Sequence, residues 1–320
     1  MDGAPPPPLV SVVIPTRDRS ALVVRTARSA LAQRGVALEL VVVDDGSADD
    51  TPAALAQLAD PRLTVVRHPQ PLGVSAARNT GVAAAAGRWV AFLDDDDLWA
   101  PDKLATQLAA AERLGRVWAC SGSVTFMGDA RIVAGAPPPP ADVIAAALPV
   151  RNIVPAGASN VVARADALRA TGGFDPGLRH MADWDLWIRL ARLGPPAVVA
   201  EPAVAYRLHA TNASADSAAI GAELARIEAR THEARGGRPV DRAFVHRWTA
   251  WNLLRAGRRG AALRAYGHAM AAGDVASVAR AAVALAAPGV TRRRLPRLGA
   301  DTEWIARADR WLRAFQDRSA

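Results

Sequence analysis

Four consecutive aspartates form the most chemically distinctive stretch of this 320-residue chain. Asp94, Asp95, Asp96 and Asp97, which we call the acidic run, follow directly on the apolar segment 89–93 (WVAFL). Adjacent carboxylates repel one another, and a hard divalent cation such as Mg²⁺ or Mn²⁺, which prefers oxygen ligands, relieves that repulsion. An isolated acidic run is more often a solvated turn. The run therefore predicts a metal site only if other chemical groups converge on it.

A second pair of carboxylates follows another apolar segment. Asp44 and Asp45 end the segment 38–43 and precede Gly46 and Ser47. A carboxylate at the end of a strand can accept hydrogen bonds from a nucleotide base or ribose, and a glycine beside it leaves room for close approach. Taken alone, the same residues favour a plain turn with a helix N-cap.

A third pair stands at the start of an apolar helical stretch. Asp183 and Asp185 flank Trp184, and Trp187 follows one helical turn after Asp183. Burial beside indole rings raises the pKa of a carboxyl group and suits it to take a proton from a hydroxyl. Acidic residues are also favoured in any first helical turn, so a structural role stays open at this point.

The elements that must position these groups alternate between strands and helices. Strands are predicted at 9–14, 38–43, 63–66 and 89–93. Helical stretches of 10–15 residues between strands predict a parallel, doubly wound sheet, and right-handed crossovers place the carboxyl ends of the first, second and fourth strands at one edge. That edge would gather Thr16, Arg17 and Asp45 beside the acidic run.

Two common nucleotide-binding motifs are absent from the sequence. No Gly-x-Gly-x-x-Gly follows the first strand, and no Gly-x-x-x-x-Gly-Lys-Ser/Thr occurs, which argues against a dinucleotide-dependent dehydrogenase and a P-loop NTPase. Arg78, near the start of the helix that precedes residue 89, is either a cation that approaches a ligand at the same edge or a surface arginine.

Composition sets limits on where the protein works. No stretch of about 18 apolar, uncharged residues occurs, so no membrane-spanning helix is expected. The beginning of the chain lacks the basic and then apolar parts of a signal peptide. The single cysteine, Cys120, excludes an internal disulfide and fits a reducing compartment. We therefore expect a cytoplasmic location.

The basic character of the chain is confined to its C-terminal third. Residues 221–320 contain 19 arginines and nine acidic residues, whereas 1–220 contain 20 basic and 22 acidic residues. This imbalance predicts either solvated arginine-rich helix faces or peripheral contact with an anionic membrane surface, at the inner face of the cell membrane. No nucleic-acid partner is expected.

The patterns predict three segments. They are a Pro-rich lead over 1–8, an α/β domain over 9–214 and a basic α-helical region over 215–320. The last predicted helix, 301–315, carries Trp304 and Trp311 on one side at helical spacing.

Together these motifs resemble the inverting family 2 glycosyltransferases, which have the GT-A fold. The matching stretches, in the family's order, are 11–16 (SVVIPT), 41–47 (VVVDDGS), 73–79 (GVSAARN), 92–97 (FLDDDD) and 183–187 (DWDLW). The resemblance covers about residues 9–210. It implies a GT-A-type, doubly wound and mostly parallel sheet, followed by a helical C-terminal region.

The resemblance also implies roles for individual residues. Asp183 stands where the family places its catalytic base. The residues implied in binding the donor nucleotide are Pro15, Thr16, Arg17, Asp44, Asp45, Arg78, Asp94 and Asp95. The implied metal ligands are Asp96, Asp94 and His209. One departure is Ala182, where the family often has Glu before the base; it bears on acceptor contacts rather than on the base.

The implied function is a metal-dependent, inverting transfer of a sugar from a nucleotide-diphosphate donor to an acceptor hydroxyl, with Mg²⁺ or Mn²⁺ as cofactor. The acceptor would be a saccharide or lipid-linked molecule in cell-envelope polysaccharide or glycoconjugate synthesis. Two alternatives stay open: a polyprenyl-phosphate sugar transferase of the same fold, and a non-catalytic helical interaction protein with a decayed transferase domain. A sugar-nucleotide nucleotidyltransferase would need a Gly-rich loop after the first strand, and residues 15–19 (PTRDR) contain none.

Overall fold

Strand β1 (Val10–Thr16) is buried at every one of its seven positions. It pairs in parallel with β2 (Leu38–Asp44) on one side and with β4 (Trp89–Phe92) on the other. Strands covered on both faces are apolar without alternation, which explains the continuous apolar pattern of all three segments.

The computed structural model describes residues 8–128, 131–208, 217–255, 257–286 and 302–317. Contacts divide the chain into two units. Unit 1 comprises residues 1–145, 154–207 and 301–320, and unit 2 comprises 146–153 and 208–300. The predicted boundary at residue 215 does not coincide with this division, because the end of the chain lies with unit 1; the three-segment division stays a prediction.

Unit 1 contains a nine-stranded sheet. Its remaining strands are β3 (Leu63–Arg67), β5 (Leu98–Trp99), β6 (Trp118–Met127), β7 (Arg131–Ala136), β8 (Val162–Arg164) and β9 (Ala197–Arg207). The strand order is β3-β2-β1-β4-β8-β6-β9-β5, and β7 pairs with β6. Pairing is parallel from β3 to β4 and between β6 and β9, whereas β8 runs antiparallel to β4 and β6.

The helices of the first part of the chain follow the strands. They are α1 (Ser20–Leu31), α2 (Thr51–Ala56), α3 (Val74–Ala84), α4 (Lys103–Arg113), α5 (Ala141–Ala147), α6 (Ala165–Ala170) and α7 (Ala182–Ala191). Helix α3 approaches β1 closely, because a Cβ atom at Gly81 would lie 2.3 Å from Cγ1 of Val13. The second half of α3 therefore packs directly on the middle of β1.

The structure confirms the predicted α/β class, and its strands β1 to β4 correspond to the four predicted strands. Strand β5 follows the acidic run, and β7 lies in a stretch without a readable pattern. Strand β9 runs without interruption from Ala197 to Arg207, although its register against β6 shifts around Gly122.

The last helix, α12 (Thr302–Asp317), packs on the sheet of unit 1. Trp304 is 1% exposed, and its Nε1 donates a hydrogen bond of 2.9 Å to the carbonyl of Ala200 in β9. Two glycines make room for the indole ring, since a Cβ atom at Gly122 would lie 2.4 Å, and one at Gly135 2.8 Å, from it. The predicted apolar stripe of this helix is therefore buried against its own chain.

Unit 2 is helical in its described part. Its helices are α8 (Ser217–Thr231), α9 (Arg242–Arg255), α10 (Arg259–Ala271) and α11 (Ala276–Ala286). Helices α9 and α10 bury Leu253, Leu254 and Tyr266 between them, whereas α11 leaves Val278 and Leu285 exposed. No helix in the described part of the chain combines the length and apolarity needed to cross a membrane.

Candidate active site

The carboxyl ends of the central strands meet as the parallel order requires. Thr16 pairs with Asp44 in the sheet register, and the backbone N–H of Asp45 donates to the carbonyl of Thr16 over 2.9 Å. The Thr16 hydroxyl donates a hydrogen bond of 2.8 Å to Oδ2 of Asp95. The first, second and fourth strands thus deliver their polar ends to one place, and Pro15 lies buried in β1 just beneath it.

An arginine outside the predicted set neutralises the middle of the acidic run. Nη1 of Arg19 lies 3.0 Å from Oδ1 of Asp95 and 2.5 Å from Oδ2 of Asp96. Arg17 instead lies exposed, with its Nε 3.4 Å from Oδ2 of Asp18. Of these two arginines, the one that contacts the acidic run is therefore Arg19, which immediately precedes α1.

Burial and neighbouring charges shift the pKa of Asp95. Burial raises the pKa of Asp95 to about 7; the charge of Arg19 opposes the rise, and those of Asp96 and Asp94 add to it. A carboxyl with this pKa is held between its ionised and neutral forms near neutrality. Additional positive charge at this place would favour the ionised form.

Arg78 connects the acidic run to the predicted base. Its Nη2 donates a hydrogen bond of 2.6 Å to Oδ1 of Asp94, and its guanidinium lies 5.1 Å from the ring centre of Phe174. The side chain is almost fully buried, and no described residue accepts a hydrogen bond from its Nε. Arg78 therefore keeps an unused donor at the edge of the site.

Asp183 lies at the start of α7, close to this pair. Its Oδ1 accepts a hydrogen bond of 2.7 Å from the backbone N–H of Trp184. Burial raises the pKa of Asp183 to about 6, against the lowering effect of Arg78 and with a contribution from Asp94. The neighbouring Asp185 forms an ion pair of 2.6 Å with Arg189 and is thereby engaged within its own helix.

Asp45 is held by three hydrogen bonds from the protein. Oδ1 lies 2.7 Å from Nδ1 of His68 and accepts from the backbone N–H of Leu72, while Oδ2 accepts from the N–H of Gly73. Burial raises the pKa of Asp45, but the hydrogen bonds from His68 and the two N–H groups outweigh it, so the pKa lies below its usual value. This carboxylate is fixed in its charged form.

Asp44 has a structural environment. It is fully buried, and its Oδ1 accepts a hydrogen bond of 2.9 Å from the backbone N–H of Ser47. Its Oδ2 lies 3.4 Å from Nε of Arg67. These contacts close the turn that orients Asp45.

Asp97 ties the acidic run to the rest of the sheet. It is fully buried, and its carboxyl accepts hydrogen bonds from the Ser159 hydroxyl over 2.5 Å and from the backbone N–H of Arg207 over 2.7 Å. Burial, together with the charges of Asp96 and Asp94, raises the pKa of Asp97 well above its usual value. Asp97 is therefore an anchor rather than a ligand-facing group.

Ser159 spans the acidic run. While its hydroxyl donates to Asp97, its Oγ accepts a hydrogen bond of 3.0 Å from the backbone N–H of Asp94. It lies in the 3₁₀ turn Gly157–Asn160, and a Cβ atom at Gly157 would lie 3.0 Å from Oδ2 of Asp183. One turn thus contacts both the acidic run and the predicted base.

The segment that leads to the predicted metal ligand His209 is described up to residue 208. Nε of Arg207 donates a hydrogen bond of 3.1 Å to the carbonyl of Asp96, and its guanidinium lies 4.5 Å from the ring centre of Phe126. His209, a predicted metal ligand, lies outside the described residues.

Comparison with known proteins finds a family model that matches the first part of the chain. The sequence profile of the Glycosyl transferase family 2 matches residues 11–136, which include β1, β2, β4 and the whole acidic run. The chain contains a family 2 glycosyltransferase domain. The predicted resemblance to this family is confirmed.

The names of two relatives of the glycosyltransferase domain describe succinoglycan biosynthesis and glucosyl transfer. The chain is 44% identical over 108 residues to the succinoglycan biosynthesis protein ExoO of Rhizobium meliloti, matching 34% of this chain and 31% of that protein. It is 35% identical over 101 residues to the UDP-Glc:alpha-D-GlcNAc-diphosphoundecaprenol beta-1,3-glucosyltransferase WfgD of Escherichia coli, matching 32% of this chain and 40% of that protein. The chain thus spans less than half the length of these curated relatives.

A solved structure supports the predicted GT-A fold. The mannosyltransferase PcManGT from Pyrobaculum calidifontis, solved in complex with GDP-Man and Mn²⁺, is similar with a TM-score of 0.53 over 99% of this chain and 89% of that chain. At 22% sequence identity, the similarity establishes the fold alone.

The acidic run of the glycosyltransferase domain offers two candidate ligands for a divalent cation. No group of three or more His, Cys, Asp or Glu side chains that could hold a metal occurs among the described residues. The candidate ligands Asp94 and Asp96 are two carboxylates with side chains 31% and 9% exposed. Mg²⁺ is commonly held by one or two carboxylates together with substrate phosphates, so this pair fits a cation that arrives with a diphosphate.

Sequence reasoning missed three residues of the site. They are Arg19, His68 and Ser159. Each lies in or beside a loop, and its partner lies 23 to 77 positions away. The only sequence signal is the proximity of Arg19 to the matched stretch 11–16.

Proposed function

We propose that this protein is an inverting glycosyltransferase. It transfers a sugar from a nucleotide-diphosphate donor to an acceptor hydroxyl in the synthesis of a cell-envelope polysaccharide or glycoconjugate. The observation that carries this proposal is the position of Asp183, a carboxyl with a pKa of about 6 beside the Arg78–Asp94 ion pair. A general base works best when its pKa lies near the operating pH.

The donor would lie along the carboxyl ends of β1, β2 and β4. Thr16 and the fixed carboxylate of Asp45 would contact the nucleoside, and the spare Nε of Arg78 suits an anionic group. Asp94 and Asp96 would hold Mg²⁺ or Mn²⁺. When bound, the cation supplies positive charge to the diphosphate, which gains negative charge as the glycosidic bond breaks.

The reaction would be a single displacement. Asp183 takes the proton of the acceptor hydroxyl, and the hydroxyl oxygen forms a bond to the anomeric carbon from the face opposite the leaving group. The bond between that carbon and the phosphate oxygen breaks, and the nucleoside diphosphate leaves with the electron pair. Attack from the opposite face inverts the configuration.

The base also bears on the choice between acceptors. A lipid phosphate is already ionised near neutral pH and needs no strong base to attack. A carboxyl with a pKa raised to about 6 instead suits a hydroxyl acceptor. We therefore favour a hydroxyl acceptor over polyprenyl phosphate, and the intact set of carboxylates argues against a decayed transferase.

The names of similar proteins bear on the identity of the donor and the acceptor. The name of WfgD gives UDP-Glc and a diphosphoundecaprenol-linked sugar, and PcManGT was solved with GDP-Man. We infer a saccharide or lipid-linked acceptor and a cytoplasmic protein that touches the inner membrane face. Because α12 packs on the sheet, a membrane contact would depend on other basic parts of the C-terminal third. Co-sedimentation of the protein with anionic liposomes tests for this membrane contact.

The proposal is tested by donor binding and transfer. A thermal-shift screen of UDP-, GDP- and dTDP-sugars with Mn²⁺ identifies the donor, because a ligand bound only to the native state raises its melting temperature. Transfer is then measured with Asp183→Asn and with the control Asp166→Asn, which changes an exposed carboxylate in the first turn of α6. We expect Asp183→Asn to bind the donor and to lose transfer about 10³-fold. Normal transfer by Asp183→Asn would refute the assignment of the base.

A further inference from the structure

The guanidinium of Arg19 bridges two adjacent carboxylates of the acidic run. Its Nη1 lies 3.0 Å from Asp95 and 2.5 Å from Asp96. The backbone N–H of Arg19 donates to Oγ1 of Thr51, so the chain is fixed at this residue. The Arg19 side chain is 28% exposed, against 10% and 9% for the two carboxylates. The arginine can therefore turn toward solvent, whereas the carboxylates are held.

The other carboxylates of the run have different partners. Asp94 pairs with Arg78, and Asp97 accepts hydrogen bonds from the Ser159 hydroxyl and a backbone N–H. Arg19 thus compensates charge on both Asp95 and Asp96. A divalent cation bound at Asp96 would share that carboxylate with a guanidinium, and the two positive charges would repel each other.

We propose that Arg19 is a built-in counter-cation, which competes with the divalent metal for Asp96 and passes to the diphosphate of the donor when metal and donor bind together. The inference rests on the proposed function. A guanidinium presents several donors in a planar fork that matches phosphate oxygens, so the same group that suits a carboxylate pair also suits a diphosphate. Binding of the metal and the nucleotide would thereby be coupled, since the diphosphate removes the competitor of the metal.

The test measures metal binding separately from catalysis. Mn²⁺ affinity of the full chain is determined by electron paramagnetic resonance and calorimetry, first alone and then with the nucleoside diphosphate found in the donor screen. The variants are Arg19→Gln and the control Arg28→Gln, which removes the same charge from an exposed position of α1. We expect Arg19→Gln to bind Mn²⁺ alone about 5- to 20-fold more tightly, and the nucleoside diphosphate with Mn²⁺ more weakly by a similar factor.

The two affinities are expected to change in opposite directions, and this separates the proposed role of Arg19 from a structural one. A structural arginine would weaken both affinities when removed, so unchanged or weaker Mn²⁺ binding by Arg19→Gln overturns the inference. Tighter Mn²⁺ binding with unchanged nucleotide affinity overturns the transfer of Arg19 to the diphosphate. Arg19→Lys, which keeps the charge but not the fork, provides a second variant if Arg19→Gln fails to fold. It should keep the Mn²⁺ affinity of the natural chain and bind the diphosphate more weakly.

Failure of the proposed function would give a different binding result. A natural chain that binds neither Mn²⁺ nor any nucleoside diphosphate overturns the proposed function and this inference with it. A natural chain that binds both, with no gain in Mn²⁺ affinity on removal of Arg19, overturns the inference alone.

Discussion

Gly157 leaves the space that the carboxylate of Asp183 fills. A Cβ atom at residue 157 would lie 3.0 Å from Oδ2 of Asp183, a distance tighter than almost all real Cβ contacts. Gly157 also has a φ of +51°, in the left-handed region that favours glycine. The proposed base is therefore positioned by a missing side chain as well as by hydrogen bonds.

We expect Gly157→Ala to reduce transfer by at least tenfold while donor affinity stays within about twofold, because a displaced base loses its alignment with the acceptor hydroxyl. Steady-state transfer and donor binding by calorimetry measure the two effects. Gly115→Ala is the matched control, because Gly115 has a φ of +60° and nothing within 4 Å of the added Cβ. Equal losses in both variants would mean that backbone strain alone is responsible.

The pH dependence of transfer should follow Asp183. A base must be ionised to act, and the pKa of Asp183 lies at about 6 instead of 3.8. We therefore expect kcat/KM to fall about tenfold for each pH unit below 6 and to level off above it. A profile measured from pH 4.5 to 9 checks this, and a flat profile down to pH 5 would contradict it.

The same shift makes a prediction about stability. A raised pKa means that the folded state disfavours the ionised carboxyl. The burial of Asp183 therefore lowers the stability of the fold as the pH rises from 3.8 to 6, and this loss persists above pH 6. Asparagine resembles the neutral form. Asp183→Asn should therefore have a higher melting temperature than the natural chain at pH 8 and the same one at pH 3.5, which thermal unfolding at the two pH values measures.

His68 should act through Asp45. Its Nδ1 lies 2.7 Å from Oδ1 of Asp45, and its Nε2 lies 2.9 Å from the Thr80 hydroxyl, so the ring is fixed at both nitrogens. A hydrogen bond to a charged group contributes about 1.5–3 kcal/mol. His68→Leu should weaken nucleotide binding about tenfold or more and leave kcat nearly unchanged.

The control for this prediction is His232→Leu, which makes the same change at an exposed position of unit 2. Isothermal calorimetry with the nucleoside diphosphate gives the affinities, and saturating donor gives kcat. If His68→Leu lowers kcat and leaves the affinity unchanged, Asp45 does not contact the nucleotide in the way proposed.

Trp304 should be a large contributor to the stability of unit 1. Truncation of a fully buried tryptophan costs about 3–5 kcal/mol, which lowers the melting temperature by roughly 10 °C in a unit of this size. Trp304→Ala and Gly122→Ala should both show this effect, the second because its Cβ would lie 2.4 Å from the indole. Trp248→Ala, at a position 40% exposed, should lower the melting temperature far less.

Much of the sheet edge could be predicted from sequence. The first, second and fourth strands are apolar runs, and a parallel sheet with short crossovers leaves little freedom in where their polar ends lie. The meeting of Thr16, Asp45 and the acidic run followed from this topology. No side-chain geometry was needed to infer it.

The choice between Arg17 and Arg19 could not be made in the same way. The two residues are separated by Asp18, whose φ of 53° turns the backbone between them. Which arginine contacts the acidic run depends on how the backbone turns there. Only the folded backbone shows that Arg19 does.

The partners of His68, Ser159 and α12 could not be predicted from the sequence for a different reason. The periodicity of α12 predicted a helix with Trp304 and Trp311 on one side, and the structure contains it. What covers an apolar stripe is a long-range contact that periodicity does not encode. The glycines that receive Trp304 have no visible relation to it in the sequence.

The docking of Trp304 between Gly122 and Gly135 has a consequence for biosynthesis. The tryptophan is synthesised roughly 180 residues after the first of these glycines, and at about 5–20 residues per second the gap in synthesis lasts on the order of ten to forty seconds. During that interval β6 and β7 emerge from the ribosome with an open apolar slot. The face of β6 and β7 that Trp304 covers therefore stays uncovered in the nascent chain until α12 has been synthesised.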